Sequence, residues 1–210
     1  MIDFEKMIKD IKGEMLAPEI EVKPGTTTTL EISGLFNKNI EASELKRHRD
    51  SMLKIFNEHG IEMNLREDKS SYKGEFQDKK GVVSAHWILK PLEGEKLIIS
   101  LNKHALNKKD IDKLNEQVSN ATKGFEKIPK LVKLVTTGDI EKKHLDLLQS
   151  IAKNPITVDK KLSDQLKPLT ENNIVIIESN SARLKTNLSF EDDLKKAKEM
   201  AERIKNQDLR

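Results

Sequence analysis

Two runs between residues 82 and 101 constrain this chain more than any other feature. Val82-Val83-Ser84-Ala85-His86-Trp87-Ile88-Leu89 and Lys96-Leu97-Ile98-Ile99-Ser100-Leu101 are rich in β-branched and aromatic side chains, and Pro91 with Glu93-Gly94-Glu95 separates them. Proline cannot continue a hydrogen-bonded ladder and glycine supplies the backbone freedom of a tight turn, so the segment predicts an antiparallel hairpin. A hairpin alone is marginal in water. The rest of the chain must therefore supply neighbouring strands and a layer to cover them.

The flanking sequence has the material for both. Phe4, Met7, Ile8, Ile11, Met15 and Leu16 recur at helical spacing before Pro18 and predict an amphipathic helix over residues 3–16. Ile20 and Val22 alternate with Glu19, Glu21 and Lys23, Pro24-Gly25 turns the chain, and Thr26 to Ile32 supplies a second strand. Ser43 is placed to cap a helix from Glu44 to His59 that Gly60 ends. Ile61, Met63 and Leu65 then alternate as a strand, a polar stretch covers Glu67 to Ser71, and Tyr72 to Gln77 predicts another strand. A helix is expected from Lys108 to Ala121 and a strand over Leu131 to Val135. Alternation, in place of the continuous apolar strands of a doubly wound sheet, predicts an α+β domain over residues 1–138, with an antiparallel or mixed sheet and flanking helices.

Composition narrows the chemistry. The 210 residues contain no cysteine, which excludes disulfides, thiolate nucleophiles and Cys-ligated zinc or iron-sulfur sites. No run approaches the ~18 apolar residues of a membrane span, and Met1-Ile2-Asp3-Phe4-Glu5-Lys6 lacks a signal peptide's apolar centre, so a cytoplasmic location without membrane contact is expected. With 38 basic and 35 acidic side chains the net charge is only +3, so any attraction for an anionic partner must be local. No phosphate-binding glycine loop, dinucleotide fingerprint, serine elbow or paired histidine motif occurs, and neither a cofactor nor a metal is expected.

Beyond residue 139 the pattern changes to a second module, 139–210. His144, Leu145, Leu147, Leu148, Ile151 and Ala152 mark a helix, and Val158 to Thr170 follows Pro155 as another. Ile174-Val175-Ile176-Ile177 and Ala182-Arg183-Leu184-Lys185-Thr186 flank the turn Ser179-Asn180-Ser181, and Ser189 or the acids after it can cap a last helix from Phe190 to about Asn206. Helix, helix, two-stranded wing and helix, over residues 140–190, resembles the winged-helix proteins. The resemblance implies that Lys160, Lys161 and Lys167 meet phosphates, that Gln165 meets a base edge, and that Arg183 and Lys185 in the wing touch the duplex beside them. The sequence departs from the family in having room for one helix, not two, between Pro155 and Asn173. The alternative is a solvated lysine face on a packing module.

Residues 61–148 resemble the restriction-endonuclease-like fold, which implies a Mg²⁺ site of an acidic residue followed by a Glu-x-Lys set. The corresponding strand, Ile98-Ile99-Ser100-Leu101-Asn102-Lys103, has no carboxylate, and Glu75 or Asp78 would supply one acid only.

Lys46-Arg47-His48-Arg49 sits near a predicted helix start, where cations oppose the helix dipole and so invite an external anion. Glu41, Glu44 and Asp50 can equally well pair with them. Lys123, Lys127, Lys130 and Lys133 offer a further basic stretch, or a solvated loop, and Trp87 is expected to anchor the core. The sequence therefore points to a non-enzymatic DNA-binding or regulatory protein that contacts duplex DNA through Lys160, Lys161, Gln165, Lys167, Arg183 and Lys185, with Lys46, Arg47 and Arg49 as a second patch. The alternatives are an assembly factor that binds a protein partner or its own copy through sheet faces and the last helix, and a divergent or inactive nuclease-fold protein.

Overall fold

A computed structural model describes residues 1–36, 40–91, 93–125, 127–185 and 190–207. At its centre is the expected hairpin, β5 (Val83–Lys90) with β6 (Gly94–Asn102), paired antiparallel with Trp87 opposite Leu97 and Ala85 opposite Ile99. Gly94 turns with φ +84°, and a Cβ there would lie 2.7 Å from the Gly34 carbonyl oxygen, so both conformation and space require glycine. On one side β4 (Ser71–Gln77) and β3 (Asn64–Asp68) extend the sheet, and on the other β2 (Thr27–Gly34) and β1 (Glu19–Lys23) do so. The strand order is β1-β2-β6-β5-β4-β3, antiparallel throughout. Helices α1 (Phe4–Glu14), α2 (Ala42–Glu58) and α3 (Lys108–Thr122) contribute to a single core with it. The fold is α+β.

Period-two alternation sends Leu30, Ile32, Leu97, Ile99, Leu101, Trp87 and Leu89 inward, where they meet Phe4, Met7, Ile8, Met52, Phe56 and Leu114. Trp87 is fully buried and takes the ring of Phe56 edge-on at 5.5 Å between centroids. The opposite face carries Glu31, Lys96, Ile98, Ser84, His86, Lys73 and Glu75, as an antiparallel sheet with one solvated face should.

Local departures from the expected elements have plain causes. Helix α2 starts two residues early, with Glu41 as its N-cap and Ser43 inside the helix. After Gly60 (φ +79°) the Ile61 N–H donates to the Phe56 carbonyl, so Ile61 plugs the helix end and the strand begins only at Asn64. The polar stretch from Glu67 to Ser71 is the end of β3, a tight turn at residues 69–70 and the start of β4. Glu67 and Asp68 pair with Tyr72 and Ser71, and Lys69 takes φ +53°.

The chain divides between Lys127 and Ile128 into two compact units. The second contains α4 (Lys130–Thr136), α5 (Lys142–Lys153), β7 (Ile156–Thr157), α6 (Lys160–Glu171), β8 (Val175–Glu178), β9 (Ser181–Leu184) and α7 (Phe190–Gln207), and its sheet has the antiparallel order β7-β9-β8. The strand expected at Leu131 to Val135 is the helix α4. A five-residue apolar run has no period that separates a strand from a buried helix turn, and here Leu131, Val132, Leu134 and Val135 all enter the second unit's core. The break in the chain accordingly lies before this segment and not at residue 138. Helix α7 lays Leu194 and Ala197 into the same core and packs against α4. The apolar face of the last helix is thus occupied within its own unit. Thr186 and Ser189 lie outside the described residues.

Candidate nucleic-acid interface

Asp159 caps α6 by accepting from the Leu162 N–H at 2.7 Å, and Leu166 and Leu169 fasten the helix to the core. Lys160, Lys161, Gln165 and Lys167 consequently face solvent. Helical spacing lines up Lys160, Asp164, Lys167 and Glu171 on the outer surface, so the charges alternate in sign, and Lys167 lies 3.9 Å from Glu171.

The β8–β9 turn uses Ser179 (φ +48°) and Asn180 (φ +61°), and the Asn180 carbonyl accepts from the Val158 N–H at 2.8 Å. That bond sets the turn beside the first residues of α6. Strand alternation places Arg183 and Lys185 on the sheet face opposite the fully buried Ala182, whereas α6 belongs to the Ala182 side. The six residues singled out in this unit therefore do not share one face. Lys160 and Lys161 stand together beside the turn, while Arg183, held by Glu178 at 3.0 Å, and Lys185 project from the other side of the sheet.

The cluster on α2 also separates. Its inner positions follow Leu45 and Met52 at helical spacing. The His48 Nε2 lies 2.6 Å from an oxygen of Glu95, whose other oxygen accepts from the Trp87 indole N–H at 2.7 Å. Glu95 is 2% exposed and His48 makes an edge contact with Phe36, so this polar set is part of the core. Arg49 bonds Asp50 at 2.8 Å, approaches Glu67 and covers the Tyr72 ring at 4.8 Å. The Asp50 hydrogen bond raises the Arg49 pKa further above its usual value. Arg49 is thus committed to its own unit. Lys46 and Arg47 are exposed, Arg47 against Glu44, beside a shallow depression of about 430 Å³ between Ser43, Asp50, Ser51 and Lys54. The basic stretch from Lys123 to Lys133 spans the division between the units, and Lys123 donates to Asn120 at 3.1 Å.

Sequence reasoning took Glu95 for a turn residue. Its phase was the available signal, since Glu95, Leu97, Ile99 and Leu101 share one side of β6.

Two further polar side chains have structural roles. Asp78 accepts from the Val82 and Val83 N–H groups and shapes a turn, and His144 Nδ1 accepts from the Glu141 N–H. Glu75 and His86 stand 3.8 Å apart in an open groove of about 450 Å³ on the solvated sheet face, with Asn64, Gln77, Ser84 and Ser100. Among the described residues no group of three or more His, Asp or Glu side chains is arranged to hold a metal ion, and no helix is long and apolar enough to cross a membrane.

The net charge is distributed unevenly. Residues 1–127 contain 22 basic and 22 acidic side chains, and residues 128–210 contain 16 and 13, so the whole +3 belongs to the second unit. The chain matches no family model, no curated protein and no solved structure.

Proposed function

We propose that the second unit is a winged-helix-like module that binds duplex DNA through phosphate contacts, end-on, with the first turn of α6 and the β8–β9 turn against the backbone. The order helix, strand, helix and two-stranded wing, with the first strand paired to the last, supports the module. The observation that carries the contact is the Val158–Asn180 bond, which sets the wing turn beside Lys160 and Lys161, two exposed lysines without an acidic partner among the described residues. Asp164 and Glu171 on the outer surface of α6 argue against this helix lying lengthwise in the major groove, because they would face phosphates. Gln165 then reads no base, and binding is indifferent to sequence.

The test is anisotropy of a labelled duplex against protein at rising salt. Two phosphate contacts give a log–log slope near −1.8, or about twelve-fold weaker binding between 50 and 200 mM salt. Lys160→Glu with Lys161→Glu should weaken binding at least tenfold, and Gln165→Ala should leave it unchanged. A second reading, a module for protein contact, is favoured by the pairs Lys167–Glu171 and Arg183–Glu178, which neutralise cations a DNA surface would leave free. Salt-independent or absent binding to duplex selects that reading.

A further inference from the structure

Lys12, in the last turn of α1, meets the chain where it leaves the first unit. Its Nζ donates to the Gly124 carbonyl at 2.8 Å and stands 5.0 Å from the centroid of the Phe125 ring. Lys12 is exposed and has no carboxylate partner among the described residues, so its charge is committed to these two neighbours. Gly124 reaches this position with φ +84°, which glycine adopts without a steric penalty. Helix α3 is held independently of the contact. Leu114, Val118 and Ala121 are buried, the Asn120 side-chain amide donates to Glu5 at 3.3 Å, and the Lys123 N–H donates to the Asn120 carbonyl at 3.2 Å. Further along, Phe125 packs against the first core and Ile128 against the second, so only positions 126 and 127 separate the two anchors in sequence.

We propose that Lys12 is a latch on Gly124 and Phe125 that sets the length of the tether between the two units. With the latch closed, the free chain runs from Phe125 to Ile128, and its reach is at most about 11 Å. With the latch open it runs from Lys123, and the reach rises to about 18 Å. The latched piece is held by one exposed hydrogen bond, one cation–π contact and one half-buried ring, so it opens more readily than any element of the core. Opening leaves the sheet, α1 and α3 intact, because none of their buried contacts passes through Lys12. Tether length then governs the volume over which the second unit ranges about the first.

Limited trypsin digestion of the full chain reads the latch, since the Lys123–Gly124 bond lies inside the held segment and the Lys127–Ile128 bond outside it. Lys12→Met keeps an apolar stem and removes both the donor and the charge. Loss of the two contacts should speed cleavage at Lys123–Gly124 about tenfold, because proteolysis follows the population of the open form. Cleavage at Lys127–Ile128 and the urea midpoint of Trp87 fluorescence should not move. Lys12→Arg, which can donate and stack on the ring, should return the parent rate. Nitrogen-15 relaxation should show the two units tumbling more independently in Lys12→Met than in the parent. Equal cleavage at Lys123–Gly124 in the parent and Lys12→Met, an increase that Lys12→Arg shares, faster cleavage throughout the first unit, or unchanged tumbling overturns the proposal.

Discussion

Replacing Glu95 by alanine tests whether the buried polar set of the first unit holds its core together. The substitution removes the acceptor of the Trp87 indole N–H and the partner of His48 Nε2, at 2.7 and 2.6 Å, from positions where Trp87 is fully buried and the His48 side chain is 13% exposed. A buried donor left without an acceptor costs ~1–3 kcal/mol; with His48 partly within reach of water, the expected loss is about 2–4 kcal/mol. That is a large share of the ~5–15 kcal/mol by which a domain is stable. Glutamine keeps an oxygen for Trp87 and offers its amide to the imidazole, and should cost ~1 kcal/mol. Trp87 is the one tryptophan in the chain, so its fluorescence in urea follows the first unit alone. With a slope of ~2 kcal/mol per molar urea, Glu95→Ala should lower the midpoint by about 1–2 M, and Glu95→Gln by about 0.5 M. An alanine variant whose midpoint coincides with that of the parent, or a glutamine variant as damaged as alanine, would refute the reasoning.

Further expectations concern the same sheet and the second core. Gly94→Ala combines a left-handed φ with a Cβ 2.7 Å from the Gly34 carbonyl oxygen and should destabilise the first unit by ~2–3 kcal/mol in the same urea assay. The pKa of Glu31 lies below the usual carboxylate range, chiefly through the Lys96 hydrogen bond, with Lys23 adding to it. A folded-state pKa held below the unfolded value gives stability that is present above the unfolded pKa and lost as pH falls through the folded one. Glu31→Gln should therefore be less stable than the parent near neutral pH and equal to it in strong acid, as urea titrations at the two pH values would show. Leu148, fully buried in the second core, should cost ~2–5 kcal/mol when replaced by alanine, measured as an earlier loss of helical circular dichroism on heating.

Much of the first unit was legible because its strands alternate. Trp87, Leu89, Leu97 and Ile99 declare an inward side without help from the rest of the chain. The same logic, carried two residues further back, would have shown Glu95 facing inward, and the spacing from Leu45 to Met52 would have shown His48 and Arg49 near the buried side of α2. Other features carried no local signal. Leu131 to Val135 is too short and too uniformly apolar to have a period, and Ile156–Thr157 is too short to alternate at all; only its pairing with Ser181 and Ala182 makes it a strand. The candidate interface divides in the same way. That Arg183 and Lys185 share one side of a strand follows from their spacing, but which side α6 covers is decided by the core, through Leu166, Leu169 and Ala182. No residue pattern along α6 could have reported that.

The most direct test is the salt dependence of duplex binding by the parent chain and by the variant carrying Lys160→Glu and Lys161→Glu. End-on phosphate contact predicts a slope near −1.8 for the parent, a slope near zero for the variant, and the same affinity for duplexes of unrelated sequence. Undiminished binding by the variant, or strong preference for one sequence, would contradict it.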